Sequence, residues 1–132
     1  MPDNPAKILI VDDEPDIRAM LEELLQREYA TASVGTGKQA LAAVHQQPPD
    51  LILLDVSMPG MDGFEVASTL KADPKTANIP IIMVSALDGR GARVIGLEAG
   101  AEDYLSKPVD TAELTLKVRN LLRLKGVGAT LN

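Results

Sequence analysis

The chain has 132 residues, 45% hydrophobic and 24% charged, with 13 Lys and Arg against 19 Asp and Glu for a net charge of −6. That length and composition fit one ordinary globular domain with an aliphatic core, leaving no room for a multidomain enzyme and no case for disorder. Three aromatics and an acidic balance speak against binding nucleic acid, which needs base stacking and phosphate neutralisation, and the absence of cysteine excludes disulfides and thiolate metal sites.

Apolar runs of strand length alternate along the chain with stretches of helical period, the pattern of parallel strands joined by crossover helices. Lys7 to Val11 (KILIV) is β-branched and nearly unbroken, as in a central strand covered on both faces. After Pro15, a favoured first helical residue, Ile17, Met20, Leu21, Leu24 and Leu25 form one stripe. Tyr29 to Val34 mixes polar and apolar residues and suits an edge strand; Gly37 to about Gln46 follows as a short helix stopped by Pro48 and Pro49. Leu51 to Leu54 is a second buried strand ending on Asp55, and Ile79 to Val84 a third, ending on Ser85. Phe64, Ala67 and Leu70 mark the helix between them. A fourth helix follows Ser85 through a segment rich in glycine (Gly89, Gly91, Gly96, Gly100), which should make it the least stable of the helices. Asp103 to Ser106 is the fifth strand and Thr111 to Leu124 the last helix, with Leu114, Val118, Leu121 and Leu122 on one face and Leu116 and Leu124 off it. Residues 1–124 thus read as one α/β domain, and 125–132 as a tail or the start of a linker.

In a parallel sheet the carboxyl ends of all strands converge on one rim, where ligands bind. Here that rim collects Asp12 and Asp13 from the first strand, Asp55 from the third, Ser85 from the fourth and Lys107 from the fifth. Each has a plain alternative. Asp12 and Asp13 could complement the positive end of the first helix, Asp55 could belong to a turn, Ser85 could cap a helix, and Lys107 could be a solvated lysine. Taken together they make a better site than an accident, because three carboxylates within several Å need compensating positive charge. A divalent cation and Lys107 would balance them. Oxygen-only ligands with open positions favour Mg2+, whose usual further guest is a phosphoryl group, and Ser85 with backbone N–H groups could donate to it.

The segments ILIVDDEP, PDLILLDVSMPGMDG, IPIIMVSA and GAEDYLSKP resemble the receiver domain of bacterial two-component response regulators, chemotaxis receivers included, over about residues 6 to 124. The resemblance implies a flavodoxin-like, doubly wound five-stranded parallel sheet of order 2-1-3-4-5 with five helices, an order for which the standard illustration is itself a receiver. It implies that Asp55 accepts a phosphoryl group from a sensor histidine kinase or a phosphotransfer protein. Mg2+ would be held by Asp13, Asp55 and the Ser57 carbonyl, with Asp12 acting through water. Lys107 would pair with the phosphoryl oxygens, Ser85 would hydrogen-bond them, and Tyr104 would change rotamer as Ser85 moves. The Lys107–Pro108 bond would be cis. Ser at position 85, Ser57, Leu87 and Val109 depart mildly from the commonest family pattern and bear on the lifetime of the phosphorylated form.

A switch also needs a soft element, and helix four, strand five and helix five are the expected output surface, for a partner, an output domain or a second copy. The protein is expected to be a signalling receiver that catalyses its own phosphotransfer and autodephosphorylation rather than an enzyme acting on a small substrate. No stretch has the apolar run of an export signal or a membrane span, so the expected location is the cytoplasm. Two rivals have partial support. Gly35, Gly37 and Ala40 fit a dinucleotide-binding GxGxxA, but the strand before them is too polar and the rim residues are left unused. An aspartyl-phosphate phosphatase shares the Asp, Ser and Lys set, but needs a second acid where Ser57 stands.

Overall fold

The computed structural model describes residues 5–86 and 90–126, with side chains from residue 93 onward in the second stretch. Leu87, Gly89 and residues 127–132, which the sequence reading singles out, lie outside the described residues. Ten elements alternate in chain order: β1 (Lys7–Val11), α1 (Pro15–Leu25), β2 (Ala30–Val34), α2 (Gly37–Gln46), β3 (Leu51–Asp55), α3 (Gly63–Ala72), β4 (Ile81–Ser85), α4 (Arg90–Glu98), β5 (Asp103–Ser106) and α5 (Thr111–Leu124). The five strands form one parallel sheet in the order β2-β1-β3-β4-β5. Strand order reverses between β1 and β3, the place where a doubly wound sheet opens a crevice at its carboxyl edge.

Side chains alternate across the strands, so neighbouring residues enter opposite layers. Leu9, Val11, Ile52, Leu54, Ile81 and Met83 pack with Ala40 and Val44 of α2 and Val66, Ala67 and Leu70 of α3. Ile8, Ile10, Leu51, Leu53, Ile82 and Val84 pack with Leu21 and Leu25 of α1 and Leu114, Val118 and Leu122 of α5. The central strands therefore read as unbroken apolar runs, while β2 at the edge is only half-buried.

Two local differences from the sequence reading have clear causes. β4 starts at Ile81, not Ile79, because Pro80 has no N–H to give a ladder. The Ile79 N–H closes a turn onto the Thr76 carbonyl, and the Ile81 N–H goes to the Glu102 carboxylate at 2.7 Å. Glu102 also takes the Lys71 ammonium at 2.9 Å, which bonds the Ala77 and Ile79 carbonyls as well. Met20, placed on the buried stripe of α1, is 40% exposed, and Leu21 and Leu25 carry the packing. On α5, Leu116 and Leu124 are exposed and Leu114, Val118 and Leu122 buried, as their phase requires. The Lys107–Pro108 peptide is cis, as the resemblance implied.

The loop from β3 into α3 is fixed at both ends. Asp62 and Glu65 form a reciprocal capping box at the start of α3. Gly63 donates its N–H to the Val56 carbonyl at 2.9 Å and lies so close to Asp55 that a Cβ there would collide with the Asp55 carbonyl oxygen. The Val56 Cα, 2.9 Å from that Cβ position, cannot give way either. Gly63→Ala should therefore lower unfolding free energy by about 1–3 kcal/mol in urea denaturation, the usual size of overpacking. A change within a few tenths of a kcal/mol would show that the loop relaxes freely.

Candidate functional site

The carboxyl ends of β1, β3, β4 and β5 bring the rim residues together. Asp12 and Asp55 are 2% and 3% exposed, so two carboxylates are nearly withdrawn from water at the end of adjacent strands. One oxygen each from Asp12, Asp13 and Asp55 lies within 4.8 Å of the others, with Asp13 the least buried. Lys107, just past β5, reaches over them. Its Nζ is 3.1 Å from Asp12 Oδ2, 3.4 Å from Asp55 Oδ1 and 3.3 Å from Glu14 Oε1.

The plain alternatives can now be weighed. Asp12 does serve the start of α1, since its Oδ1 accepts the Glu14 N–H at 2.9 Å, but its other oxygen is committed to Lys107. Asp55 is the last residue of β3 and accepts the Ser57 N–H, so it shapes the following loop while its Oδ1 faces the Lys107 ammonium. Lys107 is not a solvated lysine: its side chain is 14% exposed and held by three carboxylates. Ser85 ends β4, is fully buried, and its carbonyl accepts the Lys107 N–H at 2.8 Å, which ties the lysine backbone to the strand beside Asp55. Tyr104 is not on the rim. It lies in the core on β5 at 4% exposure, with its ring 3.1 Å from where a Gly96 Cβ would stand, so that glycine lets α4 rest on the tyrosine. Ser57 is exposed in the loop after Asp55.

One ammonium cannot balance this much negative charge. Burial and the neighbouring Asp12 charge push the Asp55 pKa up to about 6, outweighing the lowering by Lys107. Burial alone would lower the Lys107 pKa, but hydrogen bonding to Asp12, the charges of Asp55 and Asp12, and the Glu14 bond raise it. The two shifts agree: the lysine is amply supplied with anions, and Asp55 is short of positive charge among the described residues. A divalent cation fits this donor set, which is all oxygen and short of positive charge.

Sequence reading missed two residues here. Glu14, just before Pro15, adds a fourth carboxylate, so a divalent cation plus Lys107 would leave the rim with one net negative charge rather than none. Arg18 donates from Nη1 to the Asp12 carbonyl at 2.7 Å and fills the space over Gly35. The available clue was position along the chain: Glu14 directly follows the Asp pair and Arg18 lies in the first turn of α1. The GxGxxA match has another explanation: a Cβ on Gly37 would stand 2.9 Å from Val66 and 3.0 Å from Met61, so glycine there serves helix packing. A cavity of about 530 Å³ between Lys7, Ala30, Gln46 and Pro49 opens at the amino ends of β1 and β2, the opposite edge of the sheet.

Comparison with known proteins agrees with this geometry. The family model for the response regulator receiver domain matches residues 8–119. Response regulator PleD of Caulobacter vibrioides is 49% identical over 121 residues, 91% of this chain and 27% of PleD. DNA-binding response regulator MtrA of Mycolicibacterium smegmatis is 45% identical over 118 residues, 89% of this chain and 50% of MtrA. The chain thus spans between a quarter and a half of the length of these relatives. Among solved structures, the receiver domain of Francisella response regulator 1452 superposes with a TM-score of 0.85 at 32% identity, covering 92% of this chain and 99% of that one. Vibrio cholerae chemotaxis protein CheY4 gives 0.84 at 31% identity, covering 89% and 99%. With the family model matching most of its length, and with relatives near half identical across nine-tenths of it, this chain belongs to the response regulator receiver domain family.

Proposed function

We propose that residues 1–124 act as a phosphoacceptor switch, with Asp55 taking a phosphoryl group from the phosphohistidine of a sensor histidine kinase or phosphotransfer protein. The observation that carries this reading is the buried Asp55 carboxylate beside two other aspartates and a single ammonium, with its pKa pushed up to about 6. An Asp55 oxygen attacks phosphorus as the bond to the histidine nitrogen breaks, and that nitrogen keeps the electron pair. Asp12, Asp13, Asp55 and the Ser57 carbonyl would hold Mg2+, which supplies charge neutralisation for the carboxylates and the incoming phosphoryl oxygens. Lys107 orients and neutralises those oxygens, and Ser85 donates to them. Autodephosphorylation at the same rim returns the carboxylate, which makes the domain a signalling element and not an enzyme with a small-molecule substrate. Among the described residues no helix is long and apolar enough to cross a membrane, and a cytoplasmic location suits a kinase partner.

The signal would leave through α4, β5 and α5. Tyr104 on β5 is two residues from Ser106, the strand partner of Ser85, and it supports α4 at Gly96. Val94, Ile95 and Leu97 on α4 and Leu116 on α5 are 43–52% exposed, an apolar surface suited to an output domain or a second copy. The acidic chain itself is not assigned to nucleic acid, and residues 125–132 would be a tail or linker.

Incubation with acetyl phosphate and Mg2+ should add one phosphoryl group by intact mass to the wild type and none to Asp55→Asn or in EDTA. Amide NMR shifts should then spread through α4, β5 and α5; addition without Asp55, or shifts confined to the rim, would overturn the reading. The raised Asp55 pKa also fixes a pH dependence. Because the folded value of about 6 exceeds the unfolded 3.8, the native state binds more protons between about pH 4 and 6, and metal-free stability falls as pH rises through that window. Asp55→Asn should therefore stabilise the EDTA-treated protein by about 1–3 kcal/mol at pH 7.5, with the gain vanishing near pH 4. An equal effect at both pH values would contradict it.

A further inference from the structure

Glu14 is the rim residue that this chemistry does not use. It occupies the N-cap of α1, but its side chain makes no capping bond. It is 61% exposed, yet its Oε1 lies 3.3 Å from the Lys107 ammonium. Its backbone is held in place, with its N–H on Asp12 Oδ1 and its carbonyl accepting the Arg18 N–H, while the Arg18 side chain clamps the Asp12 carbonyl. Lys107 is therefore divided between two carboxylates inside the rim, Asp12 and Asp55, and one on its outer side.

A divalent cation among Asp12, Asp13 and Asp55 would compete directly with that ammonium for Asp12 and Asp55. Two cations so close repel, and the lysine must give ground toward whatever anion remains. We propose that Glu14 is a positioning residue that takes over the Lys107 ammonium when a divalent cation occupies the aspartates, so that cation entry and lysine placement are coupled through this side chain. The proposal builds on the reading of the rim as a Mg2+ centre and adds a residue outside the metal's own ligands. Its consequence is that Lys107 is parked at the mouth, one short movement from incoming phosphoryl oxygens, instead of being expelled into solvent. A surface carboxylate that merely adds to the negative field would attract the cation whether or not the lysine were present.

A double-mutant cycle on Mg2+ affinity of the unphosphorylated protein separates these cases. Calorimetric titration with MgCl2 of wild type, Glu14→Gln, Lys107→Met and the double variant should show Glu14→Gln weakening binding about two- to fivefold with Lys107 present, the scale of an exposed ion pair. Most of that factor should disappear once Lys107→Met has removed the ammonium. The same factor in both backgrounds, or none in the first, overturns the proposal. A second measurement needs no variant: in wild type, the NMR cross-peak between the Lys107 ε-methylene and the Glu14 side chain should strengthen on Mg2+ saturation, and its loss overturns the proposal. A wild type that binds no Mg2+ overturns the metal reading itself, and this inference with it, whereas one that binds Mg2+ without the coupling sinks this inference alone.

Discussion

The arrangement depends on one imbalance: among the described residues, a single lysine ammonium is set between the buried carboxylates of Asp12 and Asp55. Asp12 directly follows β1 and Asp55 ends the neighbouring strand β3, and both are nearly fully buried. Lys107 offsets part of their charge but is itself divided, so Asp55 remains harder to ionise than a free aspartate. Buried unbalanced charge is costly, and such charge clusters at functional sites, where a ligand can complete the balance. Among the described residues, the rim is thus an acidic cluster suited to a further positive charge. On the proposed function, phosphorylation would add negative charge at the same point and would tie the metal, the lysine and the serine to one event.

The rest of the fold serves that point. Both faces of β1, β3 and β4 are sealed by helices, which fixes the height at which the strands end. Gly63 lets α3 begin directly against the Asp55 backbone, and the Asp62–Glu65 capping box secures the turn between them. At the far end of the sheet, Glu102 and Lys71 hold the start of β4 and the corner before β5, so the strand carrying Ser85 is anchored away from the site. On the α4 side the Tyr104 ring packs directly against Gly96, leaving no room for a side chain there.

Much of this was legible in the sequence because its cause is local. Strands sealed on both faces must be apolar throughout, so KILIV and LILL announce themselves, and the half-polar YATASV announces an edge. Parallel topology then places every strand's last residue on one rim, which is why Asp12, Asp13, Asp55, Ser85 and Lys107 could be grouped without coordinates. What could not be read depends on where long side chains reach. Neither Glu14 nor Arg18 has an assigned role in the sequence reading, but Glu14 reaches the Lys107 ammonium and Arg18 the Asp12 carbonyl. The start of β4 was misplaced because the apolar pattern runs through Pro80 although its backbone has no donor to share. Met20 shows that hydrophobic phase overstates burial at the margin of a stripe. The rival readings fall on the same grounds: Gly37 is accounted for by the packing of α2 on Val66, and Ser57 supplies no acid for phosphatase chemistry.

The claim that positive charge is what the rim lacks can be measured at the carboxylate itself. A carbon-13 NMR titration of the Asp55 carboxyl in EDTA should give an apparent pKa near 6, and the same titration at saturating Mg2+ should move it down by more than one unit. An Asp55 that titrates near 3.8 without metal, or one whose pKa does not respond to Mg2+, would contradict the account.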